Sequence, residues 1–179
     1  LIKEDIAEKW NYFDCKEATI LSEKIIISRT GFTNELGWEI YFRPENNAEK
    51  IGDLILSEGK KMGMILTATP SFRGRRIEAG LLSAGQDFDK NTNPFSVGLG
   101  KFVDLDKKDF IGKKALLNIE KKCRTWGLRV KESVALKGEN IFSNNKVIGR
   151  VTSSTWSPFQ VCGVAIIHLN NDQFGPSSV

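Results

Sequence analysis

The residues with the clearest chemical potential lie between Ser28 and Phe42, in the run Ser28-Arg29-Thr30-Gly31-Phe32-Thr33-Asn34-Glu35-Leu36-Gly37-Trp38-Glu39-Ile40-Tyr41-Phe42. In its second part, strand alternation puts Trp38, Ile40 and Phe42 on one face and Gly37, Glu39 and Tyr41 on the other. A carboxylate flanked on its own face by a residue without a side chain and by an aromatic frames a slot for a flat ligand carrying N–H donors. The same alternation also describes a half-exposed strand with Glu39 in water. Arg29 and Glu35 bracket the crossing between the two halves, either as a pair that holds the loop or as the edge of a ligand site. Upstream, Ile25, Ile26 and Ile27 form a continuous β-branched block, which suits a buried strand.

Other candidate groups are more scattered. Arg73, Arg75 and Arg76 cluster ahead of Ile77-Glu78-Ala79-Gly80-Leu81-Leu82. Asp87, Asp89 and Asp104 read as solvated turn residues. His168 is the only histidine; it ends an apolar strand and has no metal-ligand cluster around it. Cys15, Cys123 and Cys162 are too widely spaced for a zinc or iron–sulfur pattern and fit a reduced, cytoplasmic compartment. There is no Gly-x-Ser-x-Gly elbow, no histidine–nucleophile pairing and no phosphate loop. Gly98-Leu99-Gly100 precedes an expected strand and is a weak dinucleotide signal.

The run from Arg29 to Tyr41 resembles the signature of the glycine cleavage T-protein family, the tetrahydrofolate-dependent aminomethyltransferases and their relatives. The likeness continues through Arg76-Ile77-Glu78-Ala79-Gly80-Leu81, Asn93-Pro94, Gly98-Leu99-Gly100 and Lys108-Asp109-Phe110-Ile111-Gly112-Lys113-Lys114-Ala115-Leu116. The resemblance implies that Glu39 accepts the pterin N–H groups of tetrahydrofolate. A folate site also needs aromatic walls, for which Tyr41, Phe32 and Trp38 are candidates, although the alternation turns Trp38 away from Glu39. It needs cations toward the folate tail as well, for which Arg73 and Arg76 are candidates and Arg75 could compensate. The position of the family's tail-binding arginine is Phe72 here, while Arg76 matches a second, more structural arginine. That departure is shared with the dimethylsulfoniopropionate demethylase branch, and a non-catalytic folate-binding module is a further alternative.

The resemblance covers the later half of the family pattern, so the chain is expected to be a fragment. The family's catalytic aspartate lies upstream of every residue here, so no catalytic residue is assigned and activity of this chain alone is left open. The implied partners are a small methyl or aminomethyl donor, the N-terminal half of the same protein and a lipoyl carrier protein.

The elements that must position these residues follow from periodicity. A short amphipathic turn or helix is expected over 1–10, from Ile2, Ile6 and Trp10. A strand over 19–27 with a turn at Ser22-Glu23 leads into the central run. A helix over 48–57 carries Ile51, Leu54 and Ile55 on one stripe. Met64-Ile65-Leu66 is expected as a buried strand, and a second helix starts near Thr69-Pro70. A strand over 95–105 and a helix over 110–119 capped by Asp109 follow. Short strands over 125–130, 133–136, 147–152 and 161–168, separated by Gly, Asn and Pro turns, read as a small all-β barrel or sandwich.

The fold class is therefore α+β. The resemblance makes residues 1–121 part of a ferredoxin-like folate-binding domain and residues 122–179 an incomplete β-rich C-terminal domain, with the boundary near Lys121-Lys122. A net charge of +4, with acids and bases interleaved, gives no reason to expect nucleic acid. No run is long and apolar enough for a membrane span.

Overall fold

The computed structural model describes residue 2 and residues 10–170, so most of the expected N-terminal turn or helix, including Ile6, lies outside the described residues. The chain forms two compact units, residues 1–72 and 73–179. The expected boundary near Lys121-Lys122 falls inside the second of these.

The first unit is a three-stranded antiparallel sheet with one long helix. β1 (Cys15–Ile20) pairs with β2 (Glu23–Ser28), which pairs with β3 (Glu39–Tyr41). Ile20 faces Glu23, so the hairpin turn is Leu21-Ser22, one residue earlier than expected. Both turn residues have positive φ, which suits the twist of a two-residue hairpin although neither is the usual Asn or Gly. The isoleucine block behaves as its composition demands, with Ile25 and Ile27 fully buried. α1 (Ala48–Lys61) starts at Asn47, whose side chain accepts from the Lys50 N–H. Its Ile51-Leu54-Ile55 stripe packs onto Ala18, Ile20, Ile25, Ile27 and Ile40.

The expected strand at Met64-Ile65-Leu66 does not form. No neighbouring strand pairs with it, and Ile65 and Leu66 are more than four-fifths exposed. α2 (Thr69–Glu78) follows, and the division between the units falls within it.

In the second unit the expected strand over 95–105 is also absent. Asn93 caps Ser96, Leu99 bonds back to Pro94, and Gly98 takes φ +77°, so the chain coils into a 3-10 turn at Gly100–Phe102. The short α3 (Lys113–Leu117) is preceded by Gly112 in a left-handed conformation, so Asp109 is not its cap.

Four strands follow: β4 (Thr125–Val130), β5 (Asn140–Ser143), β6 (Lys146–Ser157) and β7 (Cys162–Leu169). They form one antiparallel sheet in the order β4-β7-β6-β5. The expected strand at 133–136 is absent, and β5 is instead paired across the Asn144-Asn145 turn, whose two residues both have positive φ. β7 is apolar on both faces. Ala165, Ile167 and Leu169 pack with Ile141, Ile148 and Val151, while Val164 and Ile166 pack with Ile77 and Leu82.

Candidate functional site

The pairing of Ser28 with Glu39 brings the end of β2 beside β3, and three side chains meet there. The Thr30 hydroxyl donates to Glu39 Oε2, and the Tyr41 hydroxyl donates to the same oxygen at 3.0 Å. Glu39 and Tyr41 therefore share a face, as the alternation requires, while Ile40 points into the core between them. Oε1 of Glu39 accepts no bond among the described residues, and the group is exposed. The result is a carboxylate held at one oxygen and open at the other. The Tyr41 phenol is pushed above its ordinary value, chiefly because its proton is held by Glu39.

Around this centre, Arg29 is buried beneath the crossing. Its Nη1 donates to the Gly37 carbonyl at 3.1 Å, and its guanidinium lies 4.9 Å from the Tyr12 ring centre and 5.4 Å from that of Trp38. The loop is thus held by a buried cation between two aromatic rings, each within cation–π range. Trp38 meets Trp10 edge-on at 5.0 Å. Phe32 stacks against Phe72, with ring centres 6.0 Å apart.

The arginines of α2 divide between two environments. Arg73 is exposed, and its Nη2 donates to Gln86 Oε1 at 3.4 Å. Arg76 is fully buried. Its Nη1 donates to Asp87 Oδ2 and to the Leu81 carbonyl, each at 2.8 Å, and its Nη2 donates to the Ser153 hydroxyl at 2.8 Å. All of these partners are internal to the second unit, which gives Arg76 a structural task.

Asp87 corrects an expectation, because it is not a solvated turn residue. Its side chain is completely buried and accepts from Arg76, the Ser83 N–H, Thr152 and Ser153. The register shift in β6 between Val151 and Ser153 makes this possible. Consecutive strand residues normally face opposite ways, and a bulge lets Thr152 and Ser153 both reach one carboxylate. Asp89 and Asp104 do cap local turns.

Sequence reasoning named Glu39, Tyr41 and Phe32 but missed Thr30, which lies in the same motif and gives Glu39 its second hydroxyl donor. Its proximity follows from strand register, which periodicity alone does not supply. No group of three or more His, Cys, Asp or Glu side chains among the described residues is arranged to hold a metal ion. No helix among them is long and apolar enough to cross a membrane.

Comparison with known proteins places the chain among relatives. The family model described as the GCVT N-terminal domain matches residues 1–107. An aminomethyltransferase of Halothermothrix orenii is 32% identical over 169 residues, covering 92% of this chain and 47% of its own length. One from Aquifex aeolicus is 37% identical over 158 residues, covering 84% and 41%. The crystal structure of the glycine cleavage system aminomethyltransferase T from Bartonella henselae superposes with a TM-score of 0.70 at 27% identity, covering 81% of this chain and 41% of that one. The chain spans less than half the length of these relatives, and it belongs to the glycine cleavage T-protein family of aminomethyltransferases.

Proposed function

We propose that this chain is the pterin-contacting part of a cytoplasmic, tetrahydrofolate-dependent one-carbon transferase, which moves an aminomethyl or methyl group from a small donor to N5 of tetrahydrofolate. The observation that carries the reading is the half-engaged Glu39 carboxylate, held at Oε2 by Thr30 and Tyr41 with Oε1 open. A pterin presents adjacent N–H donors, and a fixed carboxylate is their natural acceptor through charge-assisted bonds. The two hydroxyls fix the carboxylate's rotamer before a ligand arrives, which lowers the ordering cost of binding.

The donor must then be aligned with the acceptor nitrogen, and in this reading the contribution of the chain is that orientation. Charge development during transfer is supported by the aspartate that the family carries upstream of this segment. A lipoyl carrier protein is the donor's vehicle if the parent protein follows the glycine-cleavage branch.

A second reading has its own observation. Phe72 stacked on Phe32 replaces a tail-binding cation with an apolar pair, which favours the demethylase-type branch, where the family pattern also departs at this helix.

Calorimetric titration of the parent enzyme with tetrahydrofolate tests the assignment. Glu39→Gln should retain the fold and weaken binding by about 1.5–3 kcal/mol, roughly ten- to a hundredfold, because one charge-assisted bond is lost and a donor is misplaced. Unchanged affinity would remove Glu39 from the site.

A further inference from the structure

The sheet of the second unit aligns a row of polar side chains across three strands. The β4–β7 pairing sets Thr125 opposite His168, and the β7–β6 pairing sets His168 opposite Arg150. Directly opposed residues share a face, with Cβ atoms about 4.5–5.5 Å apart. Thr125 Oγ1 lies 3.4 Å from His168 Nδ1, while Nε2 has no partner among the described residues. A pocket of about 250 Å³ lies over this row, lined by Arg150, His168, Lys137, Thr92 and Asp89 among others. A second concavity of about 240 Å³ also borders His168 and brings Lys122 and Arg124 to its rim.

The acids of this region are already engaged. Asp87 is bound to Arg76, Thr152 and Ser153. Asp89 accepts from the Asn91 N–H and the Thr92 hydroxyl, each at 2.9 Å. Glu120 pairs with Arg124 at 2.6 Å and with Lys122 at 3.4 Å. The Arg150 and Lys137 side chains, in contrast, donate no hydrogen bond and make no ion pair among the described residues. Two cations without a hydrogen bond or ion pair among the described residues, Arg150 near enough to act on the charge of Asp89, and an imidazole with an open Nε2 thus border one small concave space.

We propose that this pocket binds a small oxyanion, phosphate or carboxylate, held by Arg150, Lys137 and His168. A guanidinium offers paired donors to such a group, and an ammonium adds a point charge. The charges around the imidazole support this placement. Burial, together with the Arg150 and Arg124 guanidiniums, holds His168 below its ordinary value. An anion between these groups cancels that field and accepts from the protonated ring, so anion and proton binding assist each other.

His168 is the only histidine, so its ring C2 proton gives a single resonance in a tag-free sample of the 179-residue chain. The experiment follows that resonance through a pH titration in chloride, phosphate and acetate at equal ionic strength. The midpoint is expected below the ordinary histidine value in chloride and about half a unit higher in saturating phosphate or acetate. Such a rise corresponds to a roughly threefold preference of the anion for the protonated form. The anion giving the larger rise identifies the source, phosphate or carboxylate.

Arg150 is exposed, so Arg150→Ala should leave the circular dichroism spectrum intact. It should raise the chloride midpoint and abolish most of the anion-dependent increment, and Lys137→Ala should reduce that increment. Equal midpoints in all three anions would overturn the proposal, as would an Arg150→Ala variant that keeps the full response.

Discussion

At the scale of single residues, the shared oxygen of Glu39 makes Tyr41 a reporter of the site. Its phenol donates a hydrogen bond to the carboxylate, and this raises the tyrosine above its ordinary value. The sign follows directly. A raised value means the folded state holds the proton more tightly, so the bond's contribution is present below pH 10 and is lost as pH rises through the folded value. The chain has two tyrosines, so in a Tyr12→Phe background Tyr41 is the only phenol. Ultraviolet titration of that variant should give a midpoint above 10, and adding Glu39→Gln should bring it down. A midpoint indifferent to Glu39→Gln would mean that the clamp does not exist in solution. Glu39 and Tyr41 were legible because they sit two apart on a strand. Thr30 was not, because its donor role depends on where the neighbouring strand ends.

At the scale of elements, the buried tie from α2 to β6 is the feature most open to measurement. Arg76 and Asp87 lie wholly inside, and removing one charge leaves the other uncompensated. Asp87→Asn should therefore destabilise the second unit by about 3–5 kcal/mol. Urea denaturation monitored by tryptophan fluorescence would read this as a lowered midpoint, and a loss below about 1 kcal/mol would contradict the structural role. Elements with a long regular stripe were legible. α1 starts at the expected residue, although it runs on to Lys61 beyond the expected end at Ser57, and β4 runs over the residues expected. The Gly-punctuated segment 95–105 was misread because apolar residues between glycines suit a strand and a coiled turn equally well. The bonds from Asn93 and Pro94 decided for the turn.

At the scale of the whole molecule, length and surface point the same way. The chain covers 41–47% of the relatives' length in the comparisons above, and large apolar side chains stand in solvent, including Ile65, Leu66, Phe102 and Ile111. Where such groups adjoin in a patch they favour association. The purified 179-residue chain is expected to show no aminomethyl or methyl transfer to tetrahydrofolate, and sedimentation velocity should show concentration-dependent self-association. Measurable turnover would contradict the first expectation, and a single monomeric species at all concentrations the second.

The sequence by itself determined the family, the α+β class, the glutamate at the centre of the candidate site and the helices with a continuous apolar stripe. The class, the helix stripe and the shared face of Glu39 and Tyr41 are written in local spacing, in residues a few positions apart whose faces are set by the strand or helix period, while the family rests on the resemblance of its motifs. Only the tertiary structure decided that Asp87 is buried against Arg76, that Thr30 completes the Glu39 clamp and that His168 stands between Thr125 and Arg150. These are contacts between residues nine to forty-three positions apart, made by strand register and by the packing of α2 and its following loop. A one-residue slip in register would send Glu39, Thr125, Arg150 and His168 to the opposite face, and the hydrophobic pattern that prevents the slip acts only once the sheets are assembled.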